Sequence, residues 1–243
     1  MKRFQDKVAI ITGAGRGLGA QYAKDLAREG AIIAIWGLNA DNLEKIKQEI
    51  EAENGQVLAS AMDITDYVKV ANKVEEIVRQ FGKVDILINN AAVHKSQAVV
   101  ETSIEDWQRQ IDVNLNGTFY CTKAVLPHML SRQYGKILNI SSAAAKVYFP
   151  GFSAYGASKA AIIGFSNVLS EEVKYENINV NSVCLGMTNT EHTRERMNSD
   201  AAITISLNEM LQPPEVSKVV LFLVSDEASS IKGAAIDVFG NRY

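Results

Sequence analysis

Cysteine, proline, histidine and long apolar runs are all scarce in this chain. Of 243 residues, two are cysteine, four proline and three histidine. Cys121 and Cys184 lie far apart in apolar surroundings, so we expect two reduced fillers of the interior rather than a disulfide or a metal pair. His94, His128 and His192 share no ligand-like spacing, and no catalytic metal is expected. No uninterrupted apolar stretch approaches the roughly 18 residues of a membrane span. The opening residues Met1-Lys2-Arg3-Phe4-Gln5-Asp6-Lys7 meet charge before any apolar run, unlike a secretory signal. Positive charge is not in excess: 25 Lys and Arg against 28 Asp and Glu give a formal charge of -3, which leaves no basic field for a nucleic-acid backbone. A cytoplasmic protein with neither a membrane nor a nucleic-acid partner is expected. With no Pro/Gly/Ser linker and no internal repeat, residues 1–243 read as a single domain.

What is present is a regular alternation of short β-branched runs with longer helical patterns, as in βα units around a parallel sheet buried on both faces. Strands are expected at Val8–Thr12, Ala31–Trp36, Gln56–Met62, Val84–Asn89, Gly135–Ile140, Ile178–Val183 and Ala234–Phe239. Helices are expected at Gly17–Glu29, Asp41–Asn54, Tyr67–Phe81, Ile111–Arg132, Ser153–Glu176 and Pro214–Ser225. Thr65 or Asp66 could cap the third of these, and Gly30, Gly82 and Gly135 stand where helices should stop. Seven strands flanked by helices make a doubly wound, Rossmann-type α/β fold. Residues 187–212 have mixed polarity and no clean period, and we expect a substrate lid there.

Directly after the first strand runs Thr12-Gly13-Ala14-Gly15-Arg16-Gly17-Leu18-Gly19, leading into a helical pattern. Glycines at a strand-to-helix junction let the backbone turn tightly and approach a pyrophosphate, which then meets the free amides of the helix N-terminus. Farther on, Tyr155-Gly156-Ala157-Ser158-Lys159 sets a phenol and an ammonium four residues apart, on one face of a helix. An ammonium near a phenol favours the phenolate and lowers its pKa, which suits general acid/base work near neutral pH. Thirteen residues upstream of Tyr155, after the apolar Ile137-Leu138-Asn139-Ile140, stand Ser141 and Ser142; Asn89-Asn90-Ala91-Ala92 ends another strand. Asn114 lies inside an apolar helical run, an expensive place for an amide without partners.

In order and spacing these blocks resemble the short-chain dehydrogenase/reductase family, in its compact single-domain branch, over nearly the whole chain. The resemblance implies an oxidoreductase that moves a hydride between NAD(P)(H) and a carbonyl or secondary alcohol. It makes Tyr155 the acid/base, Lys159 the group that lowers its pKa and holds the nicotinamide ribose, Ser142 the group that positions the substrate oxygen, and Asn114 the support of a water-linked proton relay. The thirteen-residue step to Tyr155 selects Ser142 over Ser141. For the cofactor the resemblance implies Gly13, Arg16, Gly17, Leu18 and Gly19 at phosphates and ribose, Leu38 at the end of the second strand, and Asp63 with Ile64 at the adenine. Asn90 and Ala91 fall beside the ribose, and Gly186, Thr188 and Thr190 near the nicotinamide. Leu185 and Ala92 depart from the family's usual proline and glycine.

The second strand ends in Trp36-Gly37-Leu38-Asn39. Gly37 stands where NAD enzymes offer a carboxylate and Leu38 where NADP enzymes often carry arginine, so neither signature is present. Arg16 in the glycine turn, with nothing acidic at 37, tips the expectation to NADP, with NAD as the alternative. A substrate pocket is expected from Val93, His94, Ala143, Ala144, Lys146, Tyr148, Phe149, Phe152, Gly186 and the 187–212 segment, together with Ser142 and Tyr155. Its mix of apolar and polar tips suits a ketone, a hydroxyacid or a 3-oxoacyl group. A homo-oligomer is expected. The rival readings are a cofactor-sensing regulator without turnover, and an epimerase or lyase that uses transient hydride transfer.

Overall fold

The computed structural model describes residues 2–199 and 206–240. One parallel sheet runs through them in the order β3-β2-β1-β4-β5-β6-β7, where β1 is Val8–Thr12, β2 Ile32–Gly37, β3 Gln56–Ala61, β4 Ile86–Asn89, β5 Gly135–Ser142, β6 Ile178–Leu185 and β7 Ala235–Val238. Side-chain alternation explains why the strands carry continuous apolar runs. Ala9, Ile11, Ile33, Ile35, Ile86 and Ile88 pack on one face beneath helices α1 (Gly17–Arg28), α2 (Ala40–Ala52) and α8 (Pro213–Leu223). Their neighbours Val8, Ile10, Ala34, Trp36 and Leu87 pack on the other face against α3 (Tyr67–Phe81), α5 (Gly117–Arg132) and α6 (Ser153–Glu172). After β3 the chain crosses to β4 on the far side of β1, so the strand order reverses between β1 and β4. A crevice at the carboxyl ends of the strands is expected there, and that is where the site lies.

Local chemistry sets the helix ends. Asn39 caps α2 by accepting from Asn42 N at 2.8 Å, and Asp66, not Thr65, caps α3 by accepting from Lys69 N at 3.1 Å. Gly82 closes α3 with φ 74°, in the left-handed region. Gly135 does not end a helix: α5 stops at left-handed Gln133, and Gly135 opens β5, where a Cβ would run into the Met129 side chain. The helix expected from Ile111 to Arg132 is a widened π-turn at Asp112–Asn116 followed by α5, and a further helix that was not expected, α4 (Ile104–Ile111), runs directly into it. Ser103 starts α4 by accepting from Asp106 N at 3.0 Å. The expected lid contains α7 (Glu191–Ser199), whereas residues 200–205 of it lie outside the described segments. Among the described residues no helix is long and apolar enough to cross a membrane.

Candidate active site

At the β1 exit, Thr12 is fully buried, and its Oγ1 accepts from both Asn90 N and Ala91 N at 3.0 Å. Asn90 returns the connection, its Nδ2 donating to Thr12 O at 3.0 Å and Gly13 O at 3.2 Å. This clamp sets the spacing of the β1 and β4 ends, and the glycines fill it. Gly13 has φ +65°, and a Cβ there would sit 2.8 Å from Ala91 Cα; a Cβ on Gly19 would sit 2.5 Å from Gly13 O. Gly17 has φ +59°. Arg16 precedes α1 in extended backbone, and no side chain caps the helix, so its first amides are left to a ligand. This cradle fits the pyrophosphate of a dinucleotide.

The second half of the site hangs on α6. Lys159 follows Tyr155 by one turn, with its Nζ 5.6 Å from the Tyr155 ring centroid. The ammonium is buried and donates to Ile140 O at 2.7 Å. Burial lowers its pKa from 10.5 to about 8, because the charged form loses hydration. Ser141 and Ser142, adjacent on β5, diverge: Ser141 Oγ donates to Lys159 O at 2.8 Å, while Ser142 Oγ accepts from Ala144 N at 3.2 Å beside Tyr155 in the cavity wall. The buried Asn114 finds the partners its setting demands. Its Oδ1 accepts from Val93 N at 2.8 Å, and its Nδ2 donates to Val93 O and to Ser158 Oγ, each at 3.0 Å. Thr118 Oγ1 donates to the Asn114 carbonyl.

Between these halves lies a cavity of about 310 Å3. Leu18 and Asn90 come to its wall from the glycine-turn side, Ser142, Tyr155 and Lys159 from β5 and α6, and Gly186, Thr188 and Thr190 from the β6 exit. His94 packs edge-on to Tyr155 at 4.7 Å between ring centroids and against Phe152 at 4.4 Å. Gly186 is required by packing, since a Cβ there would stand 2.7 Å from Phe239 O.

A family model described as short chain dehydrogenase matches residues 7–201. The chain belongs to the short-chain dehydrogenase family. It is therefore an oxidoreductase that exchanges a hydride between a nicotinamide nucleotide and an alcohol or carbonyl group. Among relatives of this dehydrogenase, a 3-oxoacyl-[acyl-carrier-protein] reductase of Thermotoga maritima is 35% identical over 98% of each chain. A meso-2,3-butanediol dehydrogenase of Serratia marcescens is 34% identical over 98% of this chain and 95% of its own. The crystal structure of an NAD+-bound xylitol dehydrogenase superimposes with a TM-score of 0.93 at 29% identity, covering 99% of this chain and all of the other.

Other expected positions fall differently in this dehydrogenase. Tyr148 is 92% exposed and, unlike Phe149 and Phe152 after it, does not line the pocket. Lys146 is also absent from that wall; its Nζ reaches Asp237 at 2.6 Å and Ala235 O at 3.2 Å on the β7 side. Leu38 is exposed just beyond β2. Burial works to raise the Asp63 pKa, but bonds from Thr65 N and Oγ1, with Arg109 at 3.4 Å, hold the carboxyl below its ordinary value. Ile64 is buried against Gly117, where a Cβ would stand 2.5 Å from its Cδ1. Sequence reasoning gave Thr12 no role of its own, and it covered His192 and Thr193 only as part of the expected 187–212 segment; both line the cavity. The signal for α7 was Thr190, whose Oγ1 accepts from Thr193 N at 3.2 Å as a helix cap would.

Proposed function

We propose that this dehydrogenase works as one domain in which Tyr155 exchanges a proton with the substrate oxygen while Ser142 holds that oxygen. The observation that carries this reading is the single cavity joining Tyr155, Lys159 and Ser142 to Leu18 and Asn90 at the glycine turn. The cofactor, when bound, supplies or accepts the hydride. Lys159, buried yet still protonated near neutral pH, sets its ammonium 5.6 Å from the Tyr155 ring centroid, where its charge favours the phenolate. Asn114 ties Val93, on the cavity wall, to Ser158 of α6 and so steadies that wall.

NADP is the favoured nucleotide, with NAD accepted. Gly37 presents no carboxylate to repel a 2'-phosphate, and Arg16 supplies a cation on the glycine turn. The substrate is an uncharged ketone or secondary alcohol, or a hydroxyacid or 3-oxoacyl group whose charge stays outside. Apart from Lys159 and the two histidines, His94 and His192, the wall carries apolar, hydroxyl and amide groups. The butanediol, xylitol and 3-oxoacyl relatives support that range. Exposed apolar side chains Trp107, Phe119 and Val168 on α4, α5 and α6 support self-association into a homo-oligomer.

Purified protein incubated with NADPH or NADH and a panel of ketones, diketones and 3-oxoacyl esters, followed by nicotinamide absorbance, tests the reading. Net oxidation of the nucleotide is expected. Binding without oxidation would replace it with a regulator, and conversion of substrate without net change in the nucleotide would replace it with an epimerase.

A further inference from the structure

Arg16 is the only cation in the glycine turn at residues 12–19. Its guanidinium reaches across to α7, where Nη1 lies 3.2 Å from Glu195 Oε2 and 3.4 Å from Oε1, and Nη2 lies 3.5 Å from His192 Nδ1. The His192 ring nitrogen is itself 3.7 Å from Glu195 Oε2. The two elements lie close elsewhere too: a Cβ on Gly17 would stand 3.7 Å from Thr190 Cβ and Cγ2, which puts the start of α1 beside the root of α7. Thr190, His192 and Thr193 line the cavity that also contains Leu18. The ion pair therefore bridges the cofactor side of the cavity to one of its own walls.

We propose that Glu195 is a cofactor-specificity residue: it holds the Arg16 guanidinium on α7, a state compatible with NAD, and competes with the 2'-phosphate of NADP for that guanidinium. The proposal rests on the reading that the dinucleotide occupies the glycine turn. With glycine at position 37 there is no carboxylate beside the ribose, so Arg16 carries the charge discrimination between the two nucleotides and Glu195 offsets it from the opposite wall. NAD leaves the pair intact. NADP has to draw the guanidinium away from Glu195 before the 2'-phosphate can use it. Both partners are about half exposed, with side chains 47% and 54% accessible, which keeps the pair weak enough to be displaced by a dianion.

The test is equilibrium binding of NAD+ and NADP+, by calorimetry, to the unaltered protein, Glu195→Gln, Arg16→Ala and the double variant. Glu195→Gln is expected to tighten NADP+ by about fivefold, the scale of an exposed ion pair, and to leave NAD+ within about twofold. In the Arg16→Ala background the same change should move neither nucleotide. Adenosine 2',5'-bisphosphate and 5'-AMP, used as fragments, should repeat the contrast. Equal shifts for both nucleotides, or an effect of Glu195→Gln that survives the loss of Arg16, would overturn the role of Glu195 alone. Failure of the unaltered protein to bind either nucleotide would overturn the cofactor reading and this proposal together.

Discussion

Ser141 and Ser142 both border the cavity, but Ser141 commits its hydroxyl to the backbone oxygen of Lys159 at 2.8 Å, whereas Ser142 accepts from Ala144 N and keeps its own hydroxyl hydrogen for a ligand. The two should part company on mutation. Ser142→Ala is expected to lower kcat/KM by about a hundredfold or more while barely changing stability, as for loss of a group that acts on the reacting oxygen. Ser141→Ala should cost about 1–2 kcal/mol of stability through the lost buried hydrogen bond and leave most of the activity. Denaturant melts and steady-state kinetics on the pair check this, and the reverse pattern would exchange the two roles.

Tyr155→Phe keeps the ring that packs against His94 and removes only the phenolic oxygen. Turnover should fall by at least about a hundredfold, the lower range of general acid/base contributions, with the nucleotide Kd within about threefold. Comparable turnover in the variant would remove Tyr155 from proton transfer.

Lys159 gives a pH signature. Its folded pKa, about 8, lies below its unfolded value of 10.5, so the unfolded chain binds the extra proton between those two pH values. Stability should therefore rise as pH goes from about 8 to 10.5, and the cost of burying the charge is fully present below about pH 8. That shift alone corresponds to about 3 kcal/mol. Lys159→Met should recover less, about 1–2 kcal/mol at pH 7, because the Ile140 carbonyl loses its donor. The gain should shrink toward pH 10, and activity should be lost. Thermal melts across this range check the sign.

Gly37 can take a side chain: a Cβ there meets Leu43 Cδ2 at 3.6 Å and Gly15 N at 3.8 Å, both ordinary contacts. Gly37→Asp should offer the ribose hydroxyls a carboxylate and repel a 2'-phosphate, two effects in the same direction. The ratio of kcat/KM for NAD over NADP is expected to rise by about tenfold or more, which corresponds to roughly 1.4 kcal/mol. An unchanged ratio would mean that the end of β2 does not read the ribose.

The core of the fold was legible because strands such as Val8–Thr12 and Ile32–Gly37 bury both faces and so leave continuous apolar runs, and because glycine spacing fixes the turn that follows β1. Tyr155, Lys159 and Ser142 were legible for a related reason, since sequence distance along one helix and one strand translates directly into position. What escaped depended on contacts distant in sequence. Thr12 looks like an ordinary strand residue until Asn90 and Ala91 arrive from β4, 78 and 79 residues away. Helix α7 was hidden because Glu191-His192-Thr193-Arg194-Glu195-Arg196 carries almost no apolar period. Tyr148 was misplaced because adjacency to pocket residues in sequence does not fix which way an irregular segment turns. Helix α4 escaped because its run Ile104-Glu105-Asp106-Trp107-Gln108-Arg109-Gln110 is mostly polar and buries little, and the π-turn at Asp112–Asn116 shifts the helical register where it meets α5.

The anchors of the reactive side chains are almost all main-chain atoms. Lys159 is held by the carbonyl of Ile140, Asn114 by both backbone groups of Val93, Asn90 by the carbonyls of Thr12 and Gly13, and Ser142 by the amide of Ala144. A main-chain atom survives substitution of the residue that carries it. The side chains of Val93 and Ala144, which line the cavity, can therefore change without removing these anchors, provided the backbone keeps its path. Selection for a new alcohol or ketone could thus reshape the pocket one residue at a time, while the proton-transfer group and its ammonium stay in register with the sheet.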